Sequence, residues 1–443
     1  MQKNNPTVSR AWCFYDWANS VYSLVITSTI FPIYFSAVAR QPDGSGEVRF
    51  LGFELESSVL FTYAISAAFL IIAVLSPILT AIADYSGRKK LFLRLFCYLG
   101  SLSCAGLYFF TFETFTLSVI LFVLATIGYS GSIVFYNAYL PEIATEDKFD
   151  SLSARGFSMG YVGSVLLLVF NLMMIMKPEW FGIAPENTSL PPRIAFLTTG
   201  IWWFAFAQYS FYHLPGNVYA RKPEGSWLLN GFKELQHVLQ QVKGLPLLKR
   251  FLLAYFFYNM GVQTVMYLAA IFGEVELRLP SEVLILTVLI IQLVAVAGAY
   301  VFSKLSARYG NIQALIMAVC IWIGVCVGAY FTYGEYQFYG LAAVVGSVMG
   351  GIQALSRSTY SKLIPATTID HASFFSFYDV TEKISIVLGT LAYGAIAQAT
   401  GSMRYSVLAL ISFFILGLIF LFLVRGKRAN LEAQAQNVQL AGS

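Results

Sequence analysis

The chain has 443 residues, 58% of them apolar and only 12% charged, with a mean hydropathy of +0.68 and a net charge of +5. A soluble domain carries about 25% charged residues, so this composition excludes disorder, a secreted disulfide scaffold and most soluble enzymes, and points to a membrane protein of many spans. Its 28 Lys and Arg are scattered over loops with no interleaved stacking aromatics, which excludes nucleic acid as a partner.

Apolar segments follow in chain order at 11–39, 57–83, 91–112, 114–140, 157–177, 193–213, 249–273, 281–304, 312–333, 336–363, 377–400 and 402–424. A spanning helix needs about 20 residues. Only helices or closed barrels satisfy their backbone in lipid, and these segments are too long for barrel strands. The expected fold is an all-α membrane protein with twelve transmembrane helices. Residues 1–213 are the N-terminal half and 214–248 a cytoplasmic central loop. Residues 249–424 are the C-terminal half and 425–443 a polar cytoplasmic tail.

Charge sets the orientation. With both termini cytoplasmic, 20 of the 28 Lys and Arg fall on the inner side and six in outer loops, with Arg357 and Lys383 inside spans. The first segment ends in Ala37-Val38-Ala39, as a cleavable leader does, but it is too long and contains Asp16 and Asn19. It reads as a retained helix. The cysteines Cys13, Cys97, Cys104, Cys320 and Cys326 lie in apolar stretches with no CxxC pair, so they read as reduced core residues. None of the three histidines has metal-ligand spacing in the sequence, so neither metal nor cofactor is expected.

The two halves repeat. Asp84-Tyr-Ser-Gly87-Arg88-Lys89-Lys90 follows the second segment, and Ala307-Arg308-Tyr-Gly310-Asn follows the eighth. Tyr139-Leu140-Pro141 ends the fourth segment, and Leu363-Ile364-Pro365 ends the tenth. Parallel six-helix halves of this kind are the architecture of major facilitator transporters. In the central loop, Leu228, Phe232, Leu235, Leu239 and Val242 predict one apolar face of an amphipathic helix.

Three polar groups stand out. The loop Asp84-x-x-Gly87-Arg88 resembles the major facilitator signature between helices 2 and 3, with Thr80 and Tyr85 departing from its usual pattern. Gly87 permits a tight turn, and Asp84 and Arg88 are candidates for a cytoplasmic gate. In the first segment, Asp16, Asn19 and Ser20 share one helix side, about 9 Å below its inner end. A carboxylate at such depth faces a cavity or a partner. Arg357 in the tenth segment is the matching expensive cation. Asp16 and Arg357 are expected to pair as a gate, or to hold the ammonium and carboxylate of a zwitterion, and both readings stay open. Neutral candidates for the cavity wall are Tyr22, Tyr129, Tyr136, Asn137, Gln263, Tyr267, Gln292 and Gln353. Asp379, Glu382 and Lys383 open the eleventh segment as an i, i+4 latch, expected close to the Asp84 loop.

Tyr15-Asp-Trp-Ala-Asn-Ser-Val-Tyr22 resembles the helix 1 hallmark of the vacuole-effluxer family of major facilitators. The resemblance continues through Tyr136-Asn137-Ala-Tyr-Leu-Pro141-Glu142, Gly156-Phe-Ser-Met-Gly160-Tyr161-Val-Gly163 and Tyr258-Asn259-Met260-Gly261. Its longest piece is Gly350-Gly351-Ile-Gln353-Ala-Leu-Ser356-Arg357-Ser358, and it covers nearly the whole chain. That family includes fungal vacuolar amino-acid exporters and bacterial transporters. The resemblance implies secondary transport of amino acids or similar small metabolites, in a bacterial inner membrane or a vacuolar one. Met260 stands where many members carry Asp, so a proton carrier at that position is lost or moved. Tyr161 replaces the proline of the superfamily's antiporter signature, so the helix 5 glycines read as close-packing residues.

No phosphate loop, metalloprotease motif or nucleophile elbow is present in the sequence, which excludes an ATP-driven pump and an enzyme. The expected partners are a small-molecule substrate, the lipid bilayer and protons as coupling ion, with the chain a monomer. Facilitated efflux is the alternative to proton coupling. A non-transporting sensor or assembly protein on the same scaffold is the alternative function, which charges inside the spans of both halves argue against.

Overall fold

A computed structural model describes residues 2–39, 47–216, 218–219 and 227–441. A chain in lipid must satisfy its backbone internally, and the structure does so with helices along almost its whole length. In the first half they are α1 (Pro6–Ala39), α2 (Ser57–Ser86), α3 (Lys89–Gly106), α4 (Phe115–Asn137), α5 (Phe149–Met176) and α6 (Leu190–His213). The central loop contributes α7 (Trp227–Gly244). The second half has α8 (Pro246–Ile271), α9 (Ser281–Tyr309), α10 (Asn311–Tyr330), α11 (Glu335–Leu363), α12 (His371–Thr400) and α13 (Met403–Ala441). Among the described residues, eleven helices are long and apolar enough to cross a membrane. The sixth expected span is the 24-residue α6, whose window is diluted by Arg193, Gln208 and several tyrosines and tryptophans.

Capping moves some boundaries. Asn5 accepts from the backbone N–H of Thr7 and Val8, and Pro6 opens the first turn, so α1 begins five residues before the expected apolar segment. Similarly, α12 begins at His371 rather than at 377, because polar side chains in its first turns are buried by packing rather than excluded from the helix. The stretch Tyr22–Ile30 inside α1 and Phe272–Glu276 after α8 are π-helical, so the first helix of each half is locally widened. The sole strands among the described residues, Glu47–Phe50 and Phe53–Glu56, form a hairpin through Leu51 and Gly52, both at positive φ.

The sequence repeat has a backbone counterpart. Gly87 ends α2 at φ +66° and Gly310 ends α9 at φ +87°. The two sit at equivalent places in the repeat, and an L side chain at either would be strained.

The contacts divide the chain into two compact units. The first contains Met1–Ala144 and Gly156–Gly231; the second contains Thr145–Arg155 and Phe232–Ser443. The short segment before and inside the start of α5 therefore belongs with the later helices, although it lies in the first half of the sequence. In the first unit, Phe31 stacks on Phe122 with centroids 4.3 Å apart, within a cluster that includes Phe35, Phe61, Phe110 and Phe196. The glycines of α5 pack on α1: a Cβ at Gly160 would lie 2.3 Å from Ser20 Oγ, and one at Gly163 would lie 2.9 Å from the Trp17 ring. In the second unit α9 and α11 approach through small residues. A Cβ at Gly350 would stand 2.1 Å from the Ala295 carbonyl oxygen.

The central helix packs on a face rotated from the expected one. Val238 and Val242 are buried, whereas Leu239 is 39% exposed. Leu228 and Phe232 lie outside the residues whose side chains are described. All five cysteines are free; Cys320 alone of them is exposed.

Candidate functional site

In the first unit, the helix 1 motif builds a polar column against α4. Asp16 is buried ten residues into α1, about 15 Å along it because the helix starts early. The Tyr136 hydroxyl donates to Asp16 Oδ2 at 2.6 Å, a charge-assisted bond. Trp12 fixes the Tyr136 ring. Its indole N–H donates to the Tyr136 carbonyl at 3.0 Å, and the two rings stack with centroids 4.6 Å apart. One turn along, Asn19 is buried, and its Nδ2 has no hydrogen-bond partner among the described residues. A further turn on, the Tyr22 and Thr126 hydroxyls are 2.7 Å apart, and the Tyr22 ring tilts against Tyr129. Asn137 is buried at the end of α4. The structure thus brings Asp16, Asn19, Tyr22 and Tyr136 onto one line.

At the end assigned to the cytoplasm, Asp84 is buried in the last turn of α2 and Arg88 is exposed. The buried cation of this loop is its neighbour Lys89, which pairs with Glu142 and lies 4.3 Å over the Tyr139 ring. Lys90 donates to the Leu214 carbonyl at 2.6 Å and Arg94 to that of Phe211 at 3.1 Å. The basic run is therefore stapled to protein.

The second unit contains a charge group on α12, in which Asp379 and Lys383 are buried and Glu382 is half-buried. Asp379 and Lys383 are 3.1 Å apart, and Glu382 lies 3.8 Å from the same ammonium. Asp379 sits eight residues and Lys383 twelve residues into α12, about 12 and 18 Å from its first residue. They are two to three turns inside the helix, not at its start. Among the described residues, Lys383 is the cation that holds Asp379, at 3.1 Å. Beside this group, Asn259 donates to Ser385 at 2.6 Å and Gln263 to Asn259 at 3.4 Å. Tyr258 and Ser356 hydroxyls are 2.7 Å apart, and Tyr255 stacks on Tyr378 at 4.2 Å. Gln353 donates to the Met266 sulfur at 3.6 Å, and Tyr267 is half-buried on α8.

Arg357 lies six residues from the end of α11 and is buried. It donates from Nε to Ser153 Oγ at 2.9 Å and from Nη2 to the Ser153 carbonyl at 3.0 Å. Ser153 Oγ in turn donates to the Ala354 carbonyl at 2.8 Å. One turn away, Asp150 accepts from Lys362 at 2.8 Å, from Asn311 at 2.7 Å and from Ser306 at 2.9 Å. Lys362 also donates to Asn311 Oδ1 at 2.8 Å. These bonds are what place Thr145–Arg155 in the second unit. Sequence reasoning missed Asp150, Ser153 and Lys362. The available signal was Asp150 beside the fourth-to-fifth connection and Asn311 next to the repeated glycine, but their pairing spans 161 positions.

An apolar cleft elsewhere in the second unit is lined by Val265, Leu268, Phe272, Val325, Phe338 and Tyr393, and none of the residues singled out above lines it.

Comparison with known proteins gives the family and the fold of the chain. Residues 4–434 match the family model described as vacuole effluxer Atg22 like. The chain is 34% identical over 438 residues to the uncharacterized MFS-type transporter YxiO of Bacillus subtilis, covering 99% of each chain. It is 22% identical to autophagy-related protein 22-1 of Penicillium rubens, covering 99% of this chain and 93% of the relative. Among solved structures, the proton:xylose symporter XylE matches with a TM-score of 0.70 at 14% identity, covering 94% of both chains. The human organic anion transporter MFSD10 matches with a TM-score of 0.71 at 13% identity, covering 95% of this chain and all of that one. At such identities these two show the fold alone.

Proposed function

Because the chain belongs to the vacuole effluxer Atg22-like family of major facilitator transporters, and is a multi-pass membrane protein rather than an enzyme, we propose that it exports small zwitterionic metabolites, amino acids foremost, across a bacterial plasma membrane by proton-coupled alternating access. The observation that carries this reading is the group Asp379, Glu382 and Lys383. Two carboxylates share one ammonium inside α12, which leaves one negative charge uncompensated within the group. Burying such a charge in lipid is costly unless a cation joins it. A proton or the ammonium of a substrate supplies that cation.

The polar residues of each unit suit a neutral or zwitterionic solute. Asn19, Tyr22, Asn259, Gln263 and Gln353 offer amides and phenols, which match a solute of low net charge better than a polyanion. Asp16, held by Tyr136, is the first unit's carboxylate for a substrate ammonium. Arg357 serves as an anchor: its guanidinium donates twice to Ser153 and so holds Thr145–Arg155 against α11. Asp84, Gly87 and Arg88 shape the corresponding turn of the first unit.

The test is uptake of a mixed labelled amino-acid pool into proteoliposomes, with and without an imposed proton gradient. Gradient-driven accumulation of a subset is expected, and Asp379→Asn or Glu382→Gln is expected to convert accumulation into mere equilibration. Equilibration by the unmodified protein would refute the coupling. No flux from folded, correctly inserted protein would refute the substrate class.

A further inference from the structure

Two helices of the second unit bring an imidazole between two carboxylates at the end assigned to the cytoplasm. Glu234 and His237 stand at i, i+3 on α7 and so project from one side of that helix. The Glu234 carboxylate is 3.8 Å from His237 Nδ1. Asp370, immediately before α12, completes the group: one ligand atom from each of the three residues lies within 4.8 Å of the others.

We propose that Glu234, His237 and Asp370 bind one divalent transition-metal ion of the zinc or manganese kind, joining the central helix α7 to the α11–α12 connection. The inference is independent of what the protein transports. Two features carry it. The donor set is mixed: one imidazole nitrogen and two carboxylates are the ligands such borderline ions take, and two carboxylates neutralise a divalent charge. The frame is fixed on both sides. Val238 and Val242 bury α7 beside His237, while the Asp370 backbone is held by its N–H to Thr368 Oγ1 at 3.2 Å and by its carbonyl accepting from Phe374 at 3.1 Å.

Asp370 is buried whereas His237 is exposed, so an ion enters from the His237 side and only flexible side chains need move. Ligand atoms about 2.1 Å from one centre stand roughly 3 to 4 Å apart, so a small rotation of Glu234 or His237 closes the group. No ordinary motif search finds it, because Asp370 is 133 positions from His237.

The experiment uses the full chain in detergent, stripped with EDTA and titrated with Co²⁺. The expected result is one Co²⁺ per chain with visible d–d absorption, displaced by Zn²⁺ but not by Mg²⁺. His237→Gln and Asp370→Asn are each expected to weaken binding at least about tenfold. His213→Ala, at the end of α6, is the control and leaves binding unchanged. Zn²⁺ should raise the melting temperature of the unmodified protein and slow hydrogen exchange along α7, and should do neither in His237→Gln. Because His237 is exposed, that variant keeps its fold even where Asp370→Asn does not. Sub-stoichiometric binding, or equal binding by His237→Gln, overturns the proposal and leaves an adventitious ion only.

Discussion

Arg357 places two guanidinium hydrogen bonds on a single residue, Ser153, reaching the hydroxyl with Nε and the backbone carbonyl with Nη2. The two residues are 204 positions apart. These two bonds grip the first turns of α5.

Removing that grip has a defined cost. Hydrogen bonds to a charged group contribute about 1.5 to 3 kcal/mol. Arg357→Ala is expected to lower thermal stability in detergent by an amount in that range, and Arg357→Lys by less. If Arg357→Ala melts like the unmodified protein, the Ser153 contacts are not the residue's role.

The Asp150 junction makes a sharper case. Asp150→Ala leaves Lys362 without its partner, and breaking a partly buried pair costs roughly 3 to 5 kcal/mol. Asp150→Asn keeps one acceptor oxygen, for Asn311 or for Ser306, and is expected to cost less. The double variant Asp150→Asn with Lys362→Met should regain much of the loss, and the coupling energy from the four melting curves measures the pair. Strict additivity would rule the pair out.

Asymmetry is expected in α12. Lys383→Met leaves Asp379 and Glu382 facing each other with no cation between them. It should destabilise by roughly 3 kcal/mol or more, whereas Asp379→Asn leaves a balanced Glu382–Lys383 pair and should fold normally. Melting curves of the two variants decide this. A more severe Asp379→Asn defect would show that Lys383, not the carboxylates, is the uncompensated charge.

Tyr136→Phe tests the first unit's carboxylate. It deletes the donor to Asp16 while keeping the ring stacked on Trp12. Transport is expected to fall about tenfold to a hundredfold, the factor that one charge-assisted bond of about 1.5 to 3 kcal/mol represents. Stability should fall as well, by about 1.5 to 3 kcal/mol, because a buried carboxylate loses a donor while the stacking remains. Full activity in Tyr136→Phe would separate Asp16 from the transport step.

Much of the arrangement is set locally. Apolar length forces helices in lipid, glycines at 87 and 310 force the turns that end α2 and α9, and Asp16, Asn19 and Tyr22 share a helix side whatever surrounds them. Spacing of four on one helix likewise makes Asp379 meet Lys383. The topology, the repeat and the family resemblance all rest on such local or periodic signals, and each is legible in the chain itself.

Tertiary structure decided what distance along the chain conceals. Packing chose Val238 over Leu239 as the buried residue of α7, because both lie near one apolar edge and only the neighbouring surface distinguishes them. Folding alone selected Lys89 rather than Arg88 as the buried cation of its loop, since Glu142 awaits it beyond the end of α4. Asp150 found Lys362 and Asn311, Arg357 found Ser153, and Asp370 found His237 in the same way. Hydropathy and periodicity report what one helix does with its own neighbours; an ion pair across more than a hundred positions depends on which helices stand side by side.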